Sequence, residues 1–188
     1  MDHTITKSTI RKQVLKERDQ LTQEERDRGA ILLTERICGH QWFYKSDILL
    51  AFVSYGSEID TTEIIEEAIR RGKKVYIPRI EGNEMNFYRV TDLTTLQIGY
   101  CGIREPAHDA EPFHCCPEQA DRVLMLMPGA VFDHSRNRCG YGKGFYDRYL
   151  ADKEALQQRT IGVGFQCQLV EELPAQEWDI RPCQIICV

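Results

Sequence analysis

The sequence contains no apolar run near the roughly 20 residues that a membrane-spanning helix needs. Its N-terminal residues, MDHTITKSTIRK, also lack the apolar segment of a secretory signal. These two absences predict a protein of the cytoplasm with no membrane partner. No internal repeat or low-complexity tract is present either, which excludes repeat architectures.

An excess of positive charge is missing as well. The chain carries 24 Lys and Arg against 29 Asp and Glu, a net charge of -5 at pH 7. Proteins that bind nucleic acid generally present a strongly basic surface, so we expect no nucleic-acid partner. Hydrophobic residues make up 42% and charged residues 28% of the 188 positions. That balance predicts a single globular domain spanning residues 1–188.

The eight cysteines show no repeated spacing. Without a secretory signal, they are interpreted as reduced thiols that serve mostly as small apolar fillers. A zinc site is the alternative, and its best ingredients are His114 with Cys115 and Cys116, or Cys183 with Cys187. Neither set has the paired C-x2-C spacing of structural zinc sites, so the first interpretation is favoured.

Helix and strand patterns alternate along the chain. A capping box of Thr22 and Glu25 begins one helix, and Asp60 with Glu63 begins another that stops at Gly72. The predicted helices cover residues 6–20, 22–39, 61–71 and 145–156. The predicted strands cover residues 47–53, 73–78, 85–90, 122–128, 160–165 and 184–188. Between the strands at 85–90 and 122–128 we expect a turn or short helix at 91–99 and a long surface connection at 102–121.

This alternation predicts the α/β class. The order strand, helix, strand over residues 47–78 is the βαβ unit of a parallel sheet. We therefore expect a single-domain three-layer α/β/α sandwich with a largely parallel sheet.

The segment GYGKGFYDRYL (140–150) places glycines at alternate positions before a predicted helix. It is not a Walker A loop, because Asn137 stands where the first glycine should be and Gly144 where the hydroxyl should be. The dinucleotide pattern G-x-G-x-x-G also fails. Glycines still let backbone N–H groups converge on an anion, and Arg138 and Lys143 add positive charge. A phosphate site is favoured over a plain tight turn, and it would lie beyond the carboxyl end of a strand.

Residues 127–150, MPGAVFDHSRNRCGYGKGFYDRYL, resemble the signature of the 5-formyltetrahydrofolate cyclo-ligase family. That signature reads approximately P-G-x-x-F-D, a short spacer, then R-L-G-x-G-x-G-Y-Y-D. Further matching elements are Lys7 with Arg11, Glu58–Thr61, Pro78, Gly102–Pro106 and Asp179. The chain departs from the pattern at Cys139, where leucine is usual, and at Tyr141, where arginine is common. The second departure removes one cation from the expected phosphate site.

The resemblance implies that 5-formyltetrahydrofolate is cyclised to 5,10-methenyltetrahydrofolate, with ATP and Mg²⁺ required and ADP and phosphate released. Phosphorylation of the formyl oxygen is the implied activating step, with Arg138 and Lys143 as catalytic residues. The implied ATP-binding residues are Lys7, Arg11, Arg138, Cys139, Gly140, Tyr141, Gly142, Lys143, Gly144, Phe145 and Tyr146. The implied folate-binding residues are Val53, Tyr55, Glu58, Tyr141, Gly142, Lys143, Gly144 and Phe145. The implied magnesium ligands are Asp147 and Asp179, while Pro128 and Asp133 look structural.

Each of these residues also has a plainer interpretation. Lys7 and Arg11 lie at i and i+4 and would on spacing alone form a solvated basic helix face. Asp147 could be a helix-surface charge, and Glu58 could favour the following helix dipole. Two other functions stay open: a phosphate-binding module without turnover, and a sugar-phosphate or acyl-CoA enzyme on a similar fold. A monomer is expected.

Overall fold

Helices and strands alternate along the chain, and the computed structural model describes residues 6–176 and 178–188. The helices are α1 (Lys7–Asp19), α2 (Gln23–Cys38), α3 (Gln41–Lys45), α4 (Thr62–Arg70), α5 (Phe145–Leu150) and α6 (Glu154–Gln157). The strands are β1 (Ile48–Leu50), β2 (Lys74–Glu81), β3 (Glu84–Val90), β4 (Gln97–Ile98), β5 (Arg104–Glu105), β6 (Val123–Met127), β7 (Val131–Asp133), β8 (Arg138–Cys139), β9 (Thr160–Gly164), β10 (Leu169–Val170) and β11 (Gln184–Cys187).

A six-stranded sheet in the order β11-β9-β6-β1-β2-β3 forms the centre. Neighbouring strands are parallel, except that β3 runs antiparallel to β2 at one edge. From β1 the chain moves outward to β2 and β3, and it then returns to the other side of β1 to form β6. The reversal of strand order lies therefore between β1 and β6. The predicted α/β class with a largely parallel sheet is confirmed.

Helices cover both faces of the central sheet. Successive residues of a strand point to opposite faces, so neighbouring residues of β1 pack against different helices. Leu49 of β1 packs in the cluster that contains helices α2, α3 and α4. Leu50, its neighbour, packs in the cluster that contains α5 and α6. All residues of β6 are buried, as expected for a parallel strand covered on both sides. The three-layer arrangement follows from this alternation.

The capping box predicted from Thr22 and Glu25 is present at the start of α2. Thr22 Oγ1 accepts from the Glu25 N–H at 3.2 Å, and Glu25 Oε2 accepts from the Thr22 N–H at 2.8 Å. At α4, Asp60 Oδ1 accepts from the Thr62 N–H at 2.9 Å. Gly72 ends that helix with a φ of +75°, a conformation that L side chains rarely adopt.

Three predicted elements are wrong in extent, and one of them, the strand predicted over 73–78, continues to Glu81. The strand predicted over 47–53 is regular only from Ile48 to Leu50, because the chain leaves the sheet after a single further bond from the Ala51 N–H to the Tyr76 carbonyl at 3.1 Å. The apolar run continues because Phe52 and Val53 remain buried, 4% and 7% exposed, although they lie in a loop. The run therefore signalled burial rather than strand length.

The helix predicted over 145–156 is divided into α5 and α6. The break falls where the Leu150 carbonyl accepts both the Lys153 N–H at 3.0 Å and Gln157 Nε2 at 2.8 Å, so the chain turns there. The connection predicted over 102–121 includes β5 and a 3-10 helix at Pro117–Arg122. A further 3-10 helix, Leu93–Thr95, lies within the segment predicted as a turn or short helix.

Among residues 6–176 and 178–188, no helix is long and apolar enough to cross a membrane. All eight cysteines lie in this part of the chain and are free thiols. Cys139 and Cys187 are buried, whereas Cys101 and Cys116 are exposed. Within the same residues, no group of three His, Cys, Asp or Glu side chains comes together in a way that could hold a metal ion.

Candidate active site

A cavity of about 900 Å³ opens at the carboxyl edge of the central sheet. The loop after β1 forms one wall and the segment after β6 forms another, so the cavity lies where the strand order reverses. Open α/β sheets bind their ligands at this place. Every site residue predicted from the sequence lines the cavity: Lys7, Arg11, Val53, Tyr55, Glu58, Arg138, Cys139, Gly140, Tyr141, Gly142, Lys143, Gly144, Phe145, Tyr146, Asp147 and Asp179. Their individual roles stay predictions.

The glycine loop, residues 140–144, connects β8 to α5. Gly142 and Gly144 have φ values of +97° and +64°, which explains why glycine stands at both positions. Arg11 Nη1 donates to the Gly140 carbonyl oxygen at 3.3 Å and so ties the loop to α1. The helix that follows is only six residues long. Its dipole is therefore weaker than the sequence suggested, and side-chain cations carry most of the positive charge.

The four cations predicted for the site lie around this loop, and Arg18 and Arg148 contact it as well. Lys7 Nζ forms an ion pair with Asp179 Oδ2. Arg138 is 6% exposed and donates through Nη2 to Asp147 Oδ1 at 2.9 Å and through Nη1 to the Pro128 carbonyl at 3.2 Å. Lys143 is exposed on the loop itself. Together with Arg11, they make the loop a suitable place for the phosphates of a nucleotide.

Asp147 and Asp179 lie beside these cations. Among the described residues, Arg138 and the Ile180 N–H donate to Asp147. Both donate to Oδ1, the second at 3.2 Å. The hydrogen bonds that described residues make to Asp179 fall on Oδ2, from Lys7 and from the Gln176 N–H at 2.7 Å. Each carboxylate thus keeps a second oxygen for a hard cation. Two carboxylates next to a phosphate site match the donor set that Mg²⁺ prefers.

Glu58 lies on the loop after β1, half-buried on the other wall of the cavity. Its Oε2 accepts from the Tyr55 N–H at 3.0 Å. Burial raises the pKa of the Glu58 carboxyl, opposed by hydrogen bonds from Tyr141 and from the Tyr55 backbone and by the charge of Arg18. A partly desolvated carboxylate in a cavity is a strong acceptor for paired N–H donors of a ligand.

Aromatic residues of α5 complete the floor. The Tyr146 hydroxyl is buried and has no hydrogen-bond partner among the described residues. Burial, followed by the negative charge of Glu58, raises the pKa of this phenol well above its ordinary value. Arg138 Cζ lies 5.6 Å from the centre of the Tyr146 ring. An unpartnered hydroxyl in a cavity wall is a group that a ligand can satisfy.

Comparison with known proteins gives one family. Residues 3–188 match the model of the 5-formyltetrahydrofolate cyclo-ligase family. The chain belongs to this family. A probable 5-formyltetrahydrofolate cyclo-ligase of Caenorhabditis elegans is 32% identical over 88% of this chain and 84% of its own length. The 5-formyltetrahydrofolate cyclo-ligase of Escherichia coli K12 is 35% identical over 69% of this chain and 71% of its own length.

Solved structures agree with this assignment. The 5,10-methenyltetrahydrofolate synthetase of Aquifex aeolicus superposes with a TM-score of 0.80 at 34% identity and covers 95% of this chain and 87% of its own. The synthetase of Mycoplasma pneumoniae, at 21% identity and a TM-score of 0.75, supports the fold alone and covers 97% of this chain and 98% of its own. Membership of the cyclo-ligase family makes the chain an enzyme, a ligase of folate metabolism, which confirms the resemblance of residues 127–150.

The two departures from the cyclo-ligase signature have structural explanations. Cys139 is only 4% exposed and packs in an apolar cluster with Val14 and Leu173, so it acts mainly as a small filler. Tyr141 is 47% exposed, and its hydroxyl accepts from Arg18 Nη1 at 2.7 Å. A cation is therefore present near this position even though it comes from α1 rather than from the loop.

Sequence analysis missed several residues of the cavity, among them Arg18, Ser57, Tyr100, Arg104 and Glu105. Arg18 carries one usable signal, because it follows Lys7 and Arg11 at a helical repeat on α1. Tyr100 packs edge-on against Phe145, with ring centres 6.0 Å apart. Glu105 lies in the Gly102–Pro106 element that matches the family pattern, although no site role was predicted for it, and nothing local in the sequence distinguishes Tyr100 from an ordinary loop residue.

Proposed function

We propose that this cyclo-ligase family member converts 5-formyltetrahydrofolate to 5,10-methenyltetrahydrofolate, with ATP as co-substrate and Mg²⁺ as cofactor. ADP and phosphate are the other products. The observation that supports this most is that the cationic glycine loop and Glu58 line one cavity. A phosphate site and a pterin site that share a cavity permit direct transfer between the two substrates. The whole chain, residues 1–188, is expected to act as one domain.

The chemistry explains why ATP is consumed. A formamide carbon is a poor electrophile, and hydroxide is a poor leaving group. Transfer of the terminal phosphoryl group to the formyl oxygen makes that oxygen a good leaving group. The folate N10 then attacks the formyl carbon and loses its proton to the departing phosphate or to solvent, while the carbon–oxygen bond breaks and phosphate leaves. For such a transfer a protein supplies mainly position and charge.

Residues of the glycine loop and α1 supply that charge. Lys143 and Arg138 stabilise the negative charge that builds on the transferring group, with Lys143 free to move because it is exposed. Lys7 and Arg11 bind the phosphates from the side of α1. Backbone N–H groups between Gly140 and Phe145 complete the phosphate contacts, as the positive φ values of Gly142 and Gly144 support.

Asp147 and Asp179 would hold Mg²⁺ through their second oxygens. A bound Mg²⁺ neutralises phosphate charge and orients the phosphoryl group. Before ligands enter, the ion pairs Lys7–Asp179 and Arg138–Asp147 balance the charge of two of these cations.

Glu58 accepts N–H donors of the aminopyrimidine ring of the folate. Val53, Tyr55 and Phe145 also line the cavity, and their apolar surfaces exclude water from the ring. The buried Tyr146 hydroxyl has no partner among the described residues, and Arg138 lies over the Tyr146 ring, which suits a contact with polar atoms near the reacting group.

One assay tests the proposal. Purified protein is mixed with 5-formyltetrahydrofolate, Mg²⁺ and ATP, and the near-ultraviolet absorbance of the conjugated methenyl product is followed. We expect an absorbance rise that requires ATP and stops when Mg²⁺ is chelated. If folded protein gives no rise while a control enzyme does, the proposal is wrong, and the alternative of a phosphate-binding module without turnover is favoured. Cytoplasmic location, a monomeric state and the absence of a nucleic-acid partner stay predictions from the sequence.

A further inference from the structure

Arg18 on α1 is a buried cation that the mechanism above does not use. It is 4% exposed. Its Nε donates to Ser57 Oγ at 2.9 Å, and its Nη1 donates to Tyr141 Oη at 2.7 Å. Ser57 Oγ in turn donates to Asp19 Oδ1, so Ser57 has a second hydrogen bond to α1. One guanidinium therefore contacts two separate loops.

These two loops belong to the two proposed substrates. Ser57 directly precedes Glu58, on the loop that follows β1. Tyr141 stands between Gly140 and Gly142, in the middle of the glycine loop. The partners lie 39 and 123 residues from Arg18 along the chain. The planar guanidinium holds its donors at fixed angles, so it sets the position of one loop relative to the other.

We propose that Arg18 is a positioning residue that couples the glycine loop to the Glu58 loop, so that each substrate strengthens binding of the other. This inference rests on the proposed function, because it takes the glycine loop as the ATP site and Glu58 as part of the folate site.

Burial of the guanidinium makes the coupling energetically effective. A buried charged donor that loses one partner keeps an unsatisfied N–H group, which is costly. Movement of Tyr141 away from Arg18 therefore carries a penalty, and so does movement of Ser57. A nucleotide that fixes the glycine loop also fixes Tyr141, and through Arg18 it fixes the backbone that carries Glu58. Such contiguous hydrogen bonds are a physical basis for coupling between sites.

The test is a pair of binding titrations that avoid turnover. The dissociation constant for 5-formyltetrahydrofolate is measured by calorimetry without nucleotide and again with saturating Mg²⁺ and a non-hydrolysable ATP analogue. For the unchanged protein we expect the nucleotide to tighten folate binding about fivefold or more, a typical coupling between sites. In Arg18→Lys this ratio should fall toward one, because an ammonium cannot reproduce both fixed contacts.

Tyr141→Phe provides a second route, since it leaves α1 unaltered and removes the hydroxyl that contacts Arg18 and Glu58. It should lower the ratio as well, and the effect of the double variant should be smaller than the sum of the two single effects, because both variants remove the Arg18–Tyr141 contact. Tyr44→Phe is the matched control: Tyr44 is 80% exposed on α3, outside the cavity, and should keep the full ratio.

The outcomes separate the two proposals. If neither ligand binds the unchanged protein, the proposed function fails and this inference fails with it. If both bind but the unchanged protein shows a ratio of one, or Arg18→Lys and Tyr141→Phe keep its ratio, only the coupling role is overturned. A drop in affinity for both ligands without a change in the ratio would likewise mark Arg18 as merely structural.

Discussion

Arg138 and Asp147 form an ion pair at the base of the glycine loop, with Nη2 2.9 Å from Oδ1. The Arg138 side chain is 4% exposed and that of Asp147 is 25% exposed. Arg138 also donates to the Pro128 carbonyl oxygen, just beyond β6. The pair thus joins the end of a central strand to the first turn of α5. The loop keeps its shape through contacts on both of its sides, and the glycines supply only the conformational freedom.

Asp147→Ala is expected to lower both the stability of the protein and its affinity for Mg²⁺. The buried Arg138 guanidinium would lose its charged partner, which we expect to lower the free energy of unfolding by about 2 kcal/mol, less than for a fully buried pair because water screens Asp147. Chemical denaturation measures this loss, and the Mg²⁺ concentration for half-maximal rate should rise. Asp152→Ala is the control, because Asp152 is 80% exposed and its one ion pair with a described residue is the surface pair with Lys153.

Lys143→Ala separates charge stabilisation from folding. Lys143 is exposed, so we expect the free energy of unfolding to change by less than about 0.5 kcal/mol. The value of kcat/KM should fall roughly 100-fold or more, as when a group that stabilises transition-state charge is removed. Lys16→Ala, an exposed lysine of α1 outside the cavity, should keep the full rate. Full activity in Lys143→Ala would reassign this residue while leaving the reaction intact.

The raised pKa of Glu58 predicts that folate binding depends on pH. Burial raises the pKa of the Glu58 carboxyl above the ordinary value of 4.5, so protonation begins at a higher pH than for an exposed glutamate. The protonated group accepts N–H donors less well, and KM for 5-formyltetrahydrofolate should rise as the pH falls toward that raised pKa. KM for ATP, measured over the same range, should rise less. Parallel changes in both values would point to a general loss of structure.

Glu58→Gln is expected to weaken folate binding while increasing stability at pH 7. Because the folded pKa is raised, ionisation of Glu58 costs stability as the pH rises from its ordinary pKa through the raised one. A neutral amide removes this cost and can still accept the Tyr55 N–H. Thermal unfolding at pH 7 and at pH 4 should therefore show an advantage for the variant only at pH 7. Glu66→Gln, on the exposed face of α4, should show no such difference.

Much of the fold could be predicted because hydrophobic periodicity reports burial. The segment VLMLM of β6 is buried at every residue, and the apolar run matches a strand covered on both faces. The ends of the strands were less predictable than their positions in the sequence. Val53 is as apolar as Leu49, but only Leu49 pairs with a strand on each side. Sequence reports that a residue is buried, whereas the end of a strand depends on where its neighbours end.

Some residues of the candidate site could likewise be predicted from the sequence, and others could not. Glycines at 142 and 144 could be recognised because positive φ values restrict the residue type. Lys7 on spacing alone could not be distinguished from a solvated lysine, and the family resemblance was needed. Arg18 was missed since its partners, Ser57 and Tyr141, lie far away along the chain. Contacts of that range depend on the assembled fold and leave no local pattern.

Gly142→Ala tests the glycine loop directly. At a φ of +97° an alanine is strained, and its Cβ would lie 3.5 Å from Arg11 Nη1, where a phosphate oxygen is expected. Gly72→Ala is matched, because Gly72 has a φ of +75° but ends α4 in open space. Both variants should lose about 1 kcal/mol of stability from backbone strain. Only Gly142→Ala should raise KM for ATP, and equal KM values in the two variants would place the nucleotide elsewhere.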